Sequence, residues 1–174
     1  STVTIYVDLR PVPSNIDDVR VTEDVTVEAL VAMVNHFLEL NLPVTVLAAS
    51  RDMYEFKGDH SSDFSRFYES TFDLLFVGKI SPSKLYKIHP PTTKHAEESS
   101  VFFITHQTDP EMVILMEEQR HSHLSVTLVY NQTAEVDRSR YSAIKHLQEH
   151  DVRVLILRGS DSIVTDLEEN YEKA

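Results

Sequence analysis

Nine histidines are the first residues of this chain whose type and spacing suggest chemistry. His146 and His150 are four residues apart, so they share one face of a helix, where two imidazoles could bind zinc. His121-Ser122-His123 lies near a predicted helix end. Neither group has a neighbouring cysteine or an H-E-x-x-H pattern, and histidines also suit the negative end of a helix. We therefore do not predict a zinc site.

Carboxylates and hydroxyls could instead hold a hard divalent cation, which prefers several oxygen ligands. Asp8, at the end of an apolar run, is one candidate ligand. Arg10, however, stands two residues after Asp8 and brings a positive charge to the same place. We favour an interpretation without metal, in which Asp8 hydrogen-bonds the loop backbone or pairs with Arg10.

Asp109 has an interpretation of its own, because Pro110 follows it directly. Proline favours the first position of a helix and aspartate the position before it, so Asp109 is predicted to cap a helix.

Catalytic patterns are weak. No serine has a histidine and an acid in a recognisable context, and Asp17 and Asp18 fall in a predicted loop with nothing to separate their pKa values. We expect a protein that is not an enzyme. The alternative, a hydrolase of unrecognised class, requires a histidine–carboxylate pair in a deep pocket.

Composition narrows the function classes further. The 174 residues fit one domain, predicted to span the whole chain, and the net charge of −12 disfavours nucleic acid as a partner. Gly58, Gly78 and Gly159 are too far apart to form a phosphate-binding loop. Cysteine is absent, which excludes disulfides and thiolate chemistry. No apolar stretch reaches the roughly 18 residues of a membrane-spanning helix.

Hydrophobic periodicity predicts the elements that position these residues. Strands are predicted at 3–7, 44–49, 54–57, 101–105, 124–130 and 152–157. The predicted helices begin at Thr22, at residue 62 or 63, after Ser81, at Asp109 and at Ser139, and the tail at 162–171 is also predicted to be helical. The first ends at Asn41, and the second carries its apolar side from Phe64 to Leu75.

Strands that alternate with helices predict an α/β fold with a mostly parallel sheet covered on both faces. We predict the strand order 3-2-1-4-5-6, with the strand at 54–57 as an antiparallel edge. This order reverses between the first strand and the strand at 101–105, and ligands of open α/β sheets bind at such a point. The loops that begin at Asp8 and at Thr105 meet there.

This arrangement resembles the von Willebrand factor A fold, a three-layer Rossmann-like architecture. In that family the first loop reads Asp-x-Ser-x-Ser, a middle loop gives a serine or threonine, and the fourth strand ends in Thr-Asp-Gly. Together they hold a magnesium ion that a ligand carboxylate completes. This chain has Asp8-Leu9-Arg10-Pro11-Val12 and Thr105-His106-Gln107, so the resemblance implies a degenerate metal-ion-dependent adhesion site.

A narrower resemblance is to the soluble C-terminal region of the "domain of unknown function 58" proteins. It covers roughly residues 3 to 157 and is carried by the order and spacing of five segments: Thr4-Ile5-Tyr6-Val7-Asp8-Leu9-Arg10, Glu28-Ala29-Leu30-Val31, Asn41-Leu42-Pro43-Val44, Asp63-Phe64 and Phe67-Tyr68-Glu69. It implies a MoxR-type AAA+ ATPase as partner, in protein assembly or maturation. It also implies N-terminal membrane helices and a location at the cytoplasmic face of the membrane, so we interpret this chain, which opens on Ser1 without methionine, as a soluble fragment.

We therefore expect a non-enzymatic protein-interaction domain with no cofactor. Its partner-binding residues are predicted to lie in the two loops at the switch point: Asp8, Arg10, Ser14, Asn15, Thr105, His106, Gln107 and Asp109. His106 occupies the position of the family's aspartate, and Arg10 would be the polar anchor. The alternative is a magnesium-dependent domain that uses Asp8, Ser81 or Ser83, and Asp109.

Overall fold

Strands and helices alternate along the chain. The structure is a computed structural model that describes residues 1–13, 15–91, 99–119, 124–133, 138–159 and 163. At residues 16, 18 and 138–141 it describes the backbone alone. The strands are β1 (Thr2–Val7), β2 (Val44–Ala49), β3 (Met53–Gly58), β4 (Ser99–Thr105), β5 (Ser125–Asn131) and β6 (Arg153–Leu157). The helices are α1 (Ile16–Glu39), α2 (Phe64–Ser70), α3 (Pro82–Ile88), α4 (Pro110–Gln119) and α5 (Arg138–Glu149). Short 3-10 turns at Ser61–Asp63 and Thr71–Asp73 flank α2. No helix in these ranges has the length and apolar character needed to cross a membrane.

The six strands form one sheet in the order β3-β2-β1-β4-β5-β6. All neighbours are parallel except β3, which runs antiparallel to β2 at the edge. The predicted strand order and antiparallel edge are confirmed. Because β1 lies between β2 and β4, the carboxyl ends of β1 and β4 are adjacent, as a switch point requires.

Each face of the sheet carries its own core, since alternate residues of a strand point to opposite faces. On β1, Ile5 and Val7 belong to the core covered by α1 and α2, whereas Tyr6 belongs to the core covered by α3, α4 and α5. Burial on both faces explains why β1 and β4 read as nearly continuous apolar runs.

The start of α1 differs from the sequence prediction. Thr22 was expected to cap this helix, but α1 begins at Ile16 and Thr22 is fully buried in its interior. The Thr22 hydroxyl lies 2.9 Å from that of Thr133, and its carbonyl accepts a hydrogen bond from the Asn131 side chain. Tertiary polar partners therefore hold a residue whose local preference is for a helix start.

The predicted end of α1 is confirmed. Asn41 adopts a left-handed conformation with φ of 56°, and the Leu42 amide donates to the Phe37 carbonyl at 3.1 Å. This is the usual geometry of a helix terminated by glycine or asparagine.

The second helix is shorter than predicted. α2 ends at Ser70, so Leu74 and Leu75 lie outside it. The Ser70 and Thr71 hydroxyls donate back to carbonyls three residues earlier, which competes with continued helix. The predicted tail helix lies outside the described residues apart from Ile163, which is buried.

Candidate functional site

The carboxyl ends of β1 and β4 bring Asp8 and Thr105 together. The Asp8 amide donates to the Ile104 carbonyl at 2.8 Å, which continues the ladder one residue beyond β1. The Asp8 side chain is fully buried, and the Thr105 hydroxyl lies 2.7 Å from its Oδ2. A buried carboxylate of this kind needs hydrogen bonds and a compensating positive charge.

Arg10 supplies that charge from the same loop. Its Nε donates to Asp8 Oδ1 at 2.9 Å and its Nη2 to Oδ2 at 2.7 Å, so the guanidinium engages both carboxylate oxygens. Its backbone amide also donates to Oδ1, at 3.0 Å. The expectation that Asp8 bonds the loop backbone or pairs with Arg10 is confirmed, and both contacts are made together. The guanidinium bonds the carboxylate through two of its N–H groups, which lysine could not reproduce.

Asp109 completes the ion cluster from the other loop. Its Oδ1 accepts from the Met112 amide at 2.8 Å, which confirms that it caps α4. Its Oδ2 lies 3.4 Å from Arg10 Nη1, a longer ion pair. Burial lowers the pKa of Arg10, but its hydrogen bond to Asp8 and the negative charges of Asp8 and Asp109 outweigh burial and raise it above its usual value. The arginine is therefore a permanent cation between two carboxylates.

The turn after β1 is fixed by a close approach of two loops. The Gly78 amide donates to the Leu9 carbonyl at 2.9 Å, and a Cβ on Gly78 would lie 2.1 Å from the Ala49 carbonyl oxygen. Only glycine fits there without moving the backbone. The segment around Gly78 packs against the end of β2 and thus holds the loop that follows Asp8 in place.

The loop after β4 is held by Thr105. Its hydroxyl lies 2.6 Å from the Gln107 carbonyl and accepts from the Gln107 amide at 3.1 Å, so its single proton is divided between that carbonyl and Asp8. His106 is buried, and its Nε2 lies 3.1 Å from the Gln107 side-chain nitrogen. Its ring faces Phe76 with centroids 6.3 Å apart.

The predicted partner-binding residues separate into two groups by burial. Asp8, Thr105 and His106 are buried, so they can position the surface but cannot touch a partner. Arg10, Gln107 and Asp109 are partly accessible and Asn15 is exposed. Ser14 lies outside the described residues.

The two serines of the magnesium alternative are engaged with each other. Ser81 Oγ accepts from the Lys84 amide at 3.2 Å, which confirms the predicted cap of α3, and it lies 3.1 Å from Ser83 Oγ. Ser83 is fully buried. Among the predicted ligands, the structure joins Asp8 and Asp109 through Arg10.

A buried polar network beside this site went unrecognised in the sequence. The Asn131 side chain, at the carboxyl end of β5, donates to the Thr22 carbonyl at 2.9 Å and to Thr26 Oγ1 at 3.0 Å. Its Oδ1 accepts from the Thr133 hydroxyl at 2.6 Å. One sequence feature indicates this network: Thr22 and Thr26 are four residues apart, so two polar side chains share a helix face that is otherwise apolar.

Comparisons with solved structures place the fold. The VWA domain of SpRpn10 superposes with a TM-score of 0.64 at 10% identity, over 100% of this chain and 95% of that one. BatB from Bacteroides thetaiotaomicron gives 0.63 at 12% identity, over 99% and 97%. An aerotolerance-related membrane protein from Bacteroides fragilis, solved with multiple mutations to serines, gives 0.62 at 14% identity, over 99% of both chains. Neither a protein-family model nor a curated protein matches the sequence.

The architecture is therefore the von Willebrand factor A fold, a mixed α/β domain with a six-stranded sheet. Domains of this fold commonly mediate protein–protein interactions. Identities of 10–14% support the fold alone.

Proposed function

We propose that this chain is a non-enzymatic protein-interaction domain that binds its partner at the carboxyl edge of the sheet without a metal ion. The observation that carries the proposal is the bidentate bond between Arg10 and the buried Asp8. In the family that the sequence resembles, that aspartate helps to hold magnesium. Here a side-chain cation lies on the carboxylate, so the adhesion site is degenerate.

The donor set around Asp8 does not fit magnesium. Both carboxylate oxygens already accept from the guanidinium, and a divalent ion beside it would be repelled. Asp109 Oδ1 is used to cap α4, and the Ser81 hydroxyl caps α3. Magnesium needs several oxygen ligands in near-octahedral geometry, and the hydrogen bonds that these oxygens already accept do not leave enough of them for the ion.

The same geometry favours binding over catalysis. The carboxylate at the switch point is paired with Arg10, while His106 lies against the Gln107 amide. His106 is also only 2% exposed, so a substrate at the surface could not reach its ring. This burial supports a structural role.

The accessible part of the site offers charged groups that a protein partner could bind. Arg10 is 19% exposed and Asp109 is 29% exposed, so the edge presents a guanidinium that has further N–H donors beside a carboxylate. Arginine is enriched at the energetically dominant positions of protein interfaces. We infer that Arg10 contacts an acidic group of the partner, and that Gln107 and Asn15 supply further polar contacts.

For the partner we propose a MoxR-type AAA+ ATPase, and for the full-length protein a membrane anchor that leaves this domain at the cytoplasmic face. Both proposals rest on the resemblance to the domain of unknown function 58 family. Two of the structural neighbours, BatB and the aerotolerance-related membrane protein, share the fold, and the second is itself a membrane protein, which supports the proposed anchor.

The test measures binding of the domain to a nucleotide-free MoxR-type ATPase from the same organism, with and without EDTA. Without nucleotide, chelation can act only on a metal held by the domain. We expect EDTA to leave binding unchanged, and Gln107→Ala and Arg10→Ala each to weaken it by roughly tenfold. Arg153→Ala is the matched control, because Arg153 is exposed at the start of β6, on the opposite edge of the sheet.

Variants are compared at a temperature at which each is folded. The surface assignment is wrong if Gln107→Ala and Arg10→Ala bind as the control does. Loss of binding in EDTA would favour the magnesium alternative. A wild-type domain that does not bind the ATPase would overturn the partner assignment.

A further inference from the structure

A cluster of metal-binding side chains lies on the opposite edge of the molecule from Asp8. It consists of Glu117 near the end of α4 and of His146 and His150 at the end of α5. One ligand-capable atom from each residue lies within 4.8 Å of the other two. Because α4 and α5 run antiparallel to the strands, their carboxyl ends lie where β5 and β6 begin, away from the switch point.

We propose that Glu117, His146 and His150 form a binding site for a borderline transition-metal ion, with Zn²⁺ foremost. Imidazole nitrogens and a carboxylate oxygen are the ligands that zinc prefers when cysteine is absent. Hard cations such as Mg²⁺ select all-oxygen sites instead. Two helix carboxyl ends also place partial negative charge beside the cluster, which favours a cation.

A hydrogen bond orients the His150 ring for this role. His150 Nδ1 lies 2.8 Å from the His146 carbonyl oxygen. A carbonyl only accepts, so Nδ1 carries the proton and Nε2 of the neutral ring holds the lone pair that a metal needs. A backbone carbonyl bonded to the other ring nitrogen is the usual support of a metal-binding histidine.

His146 and Glu117 are already in contact. His146 Nε2 lies 2.7 Å from Glu117 Oε1, and the two imidazole rings have centroids 4.2 Å apart. Zinc bonds of about 2.0–2.2 Å in tetrahedral geometry separate two ligand atoms by about 3.3 Å. Binding would therefore require this pair to separate by about 0.6 Å and the ligand atoms that lie up to 4.8 Å apart to approach by up to about 1.5 Å, which exposed side chains can do by rotation. The proton between His146 Nε2 and Glu117 would pass to solvent, or through solvent to His146 Nδ1.

Three protein ligands leave one coordination position open. Because His146 is 48% exposed and Glu117 is 38% exposed, that position faces solvent. Water would fill it in the isolated domain. A carboxylate or imidazole from another protein could replace that water. The site would therefore join α4 to α5 at a surface that does not overlap the carboxyl edge.

The experiment is calorimetric titration of the metal-free domain with Zn²⁺, and separately with Mg²⁺, followed by the visible absorption of bound Co²⁺. We expect one zinc per chain, no heat with Mg²⁺, and the intense absorption of four-coordinate Co²⁺. Glu117→Gln and His150→Asn should each weaken zinc binding by roughly tenfold or more. His36→Ala is the matched control, because His36 is exposed on α1, on the other face of the sheet.

Since all three residues lie at the surface, these variants should unfold at nearly the same temperature as the wild type without metal. Absence of zinc binding at submillimolar concentration would overturn the proposal. So would binding that survives His150→Asn and Glu117→Gln, or binding that is lost with His121 and His123 instead. Each outcome is independent of partner binding at Arg10.

Discussion

Removal of the Arg10 guanidinium should destabilise the domain strongly, although Arg10 lies near the surface. Its partner Asp8 is 0% exposed, whereas Arg10 is 19% exposed. Loss of one member of a buried pair leaves an uncompensated charge and typically costs about 3–5 kcal/mol. Asp8 would keep the Thr105 hydroxyl and the backbone amide of residue 10, and water could enter from the rim.

These remaining contacts place Arg10→Ala at the lower end of that range, about 3 kcal/mol. For a domain of this size, 1 kcal/mol corresponds to roughly 2–4 °C in melting temperature, so we expect a decrease of about 6–12 °C. Urea unfolding followed by far-ultraviolet circular dichroism gives the free energy, and thermal unfolding gives the temperature. Arg51→Ala is the matched control, because Arg51 is exposed in the turn between β2 and β3.

A double variant separates charge from packing. If the cost of Arg10→Ala comes from the unpaired Asp8 carboxylate, then Asp8→Asn combined with Arg10→Ala should be less destabilised than the sum of the two single variants. The reasoning would be refuted if Arg10→Ala were as stable as Arg51→Ala, or if the effects of the two substitutions simply added.

Two further predictions concern the surroundings of the site. Gly78→Ala should lower the free energy of unfolding, measured in urea, by about 1–3 kcal/mol, because its Cβ would meet the Ala49 carbonyl oxygen at 2.1 Å. Gly159→Ala is the control and should be neutral, because the space around Gly159 is open. Equal effects of the two substitutions would contradict the close-packing argument. Burial raises the pKa of the Tyr6 phenol above its ordinary value of 10.0, and the Tyr86 phenol adds to the shift. The stability that the protonated Tyr6 phenol contributes is therefore present below pH 10.0 and is lost as the pH rises above that value. Tyr6→Phe should cost about 1 kcal/mol at neutral pH and lose less stability above pH 10 than the wild type, as measured by urea unfolding across that range; parallel curves would show that Tyr6 ionisation is not involved.

Much of the fold could be predicted because local and tertiary preferences agree. The apolar runs that became β1 and β4, and the proline-containing starts of α3 and α4, need no distant partner to be recognised. Their alternation then restricts the order of parallel strands. The six-stranded order followed from these features.

The errors occur where a distant contact decides the outcome. Thr22 has the local character of a helix start, but Asn131 and Thr133 hold it inside α1. Leu75 fits an apolar helix face, but Ser50, at the end of β2, bonds both its amide and its carbonyl. The periodicity of apolar residues does not predict such long-range contacts.

The candidate site was predicted in part. Arg10 stands two positions after Asp8, so their pairing could be foreseen from sequence, and Asp109 was recognised as a helix cap from the proline after it. The ion pair between Arg10 and Asp109 joins residues 99 positions apart and required the structure. The contact between Glu117 and His146 joins residues 29 positions apart, and without it the spacing of the two histidines was not enough to predict a metal site.

The most direct test of the central claim, that Arg10 stands where the related fold uses a metal ion, is the melting temperature of the domain in EDTA and in millimolar Mg²⁺ or Mn²⁺. A metal held by the folded state raises that temperature by mass action. We predict the same temperature in all three solutions. A rise with Mg²⁺ or Mn²⁺ that Asp8→Asn abolishes would contradict the account and establish a working metal site at Asp8.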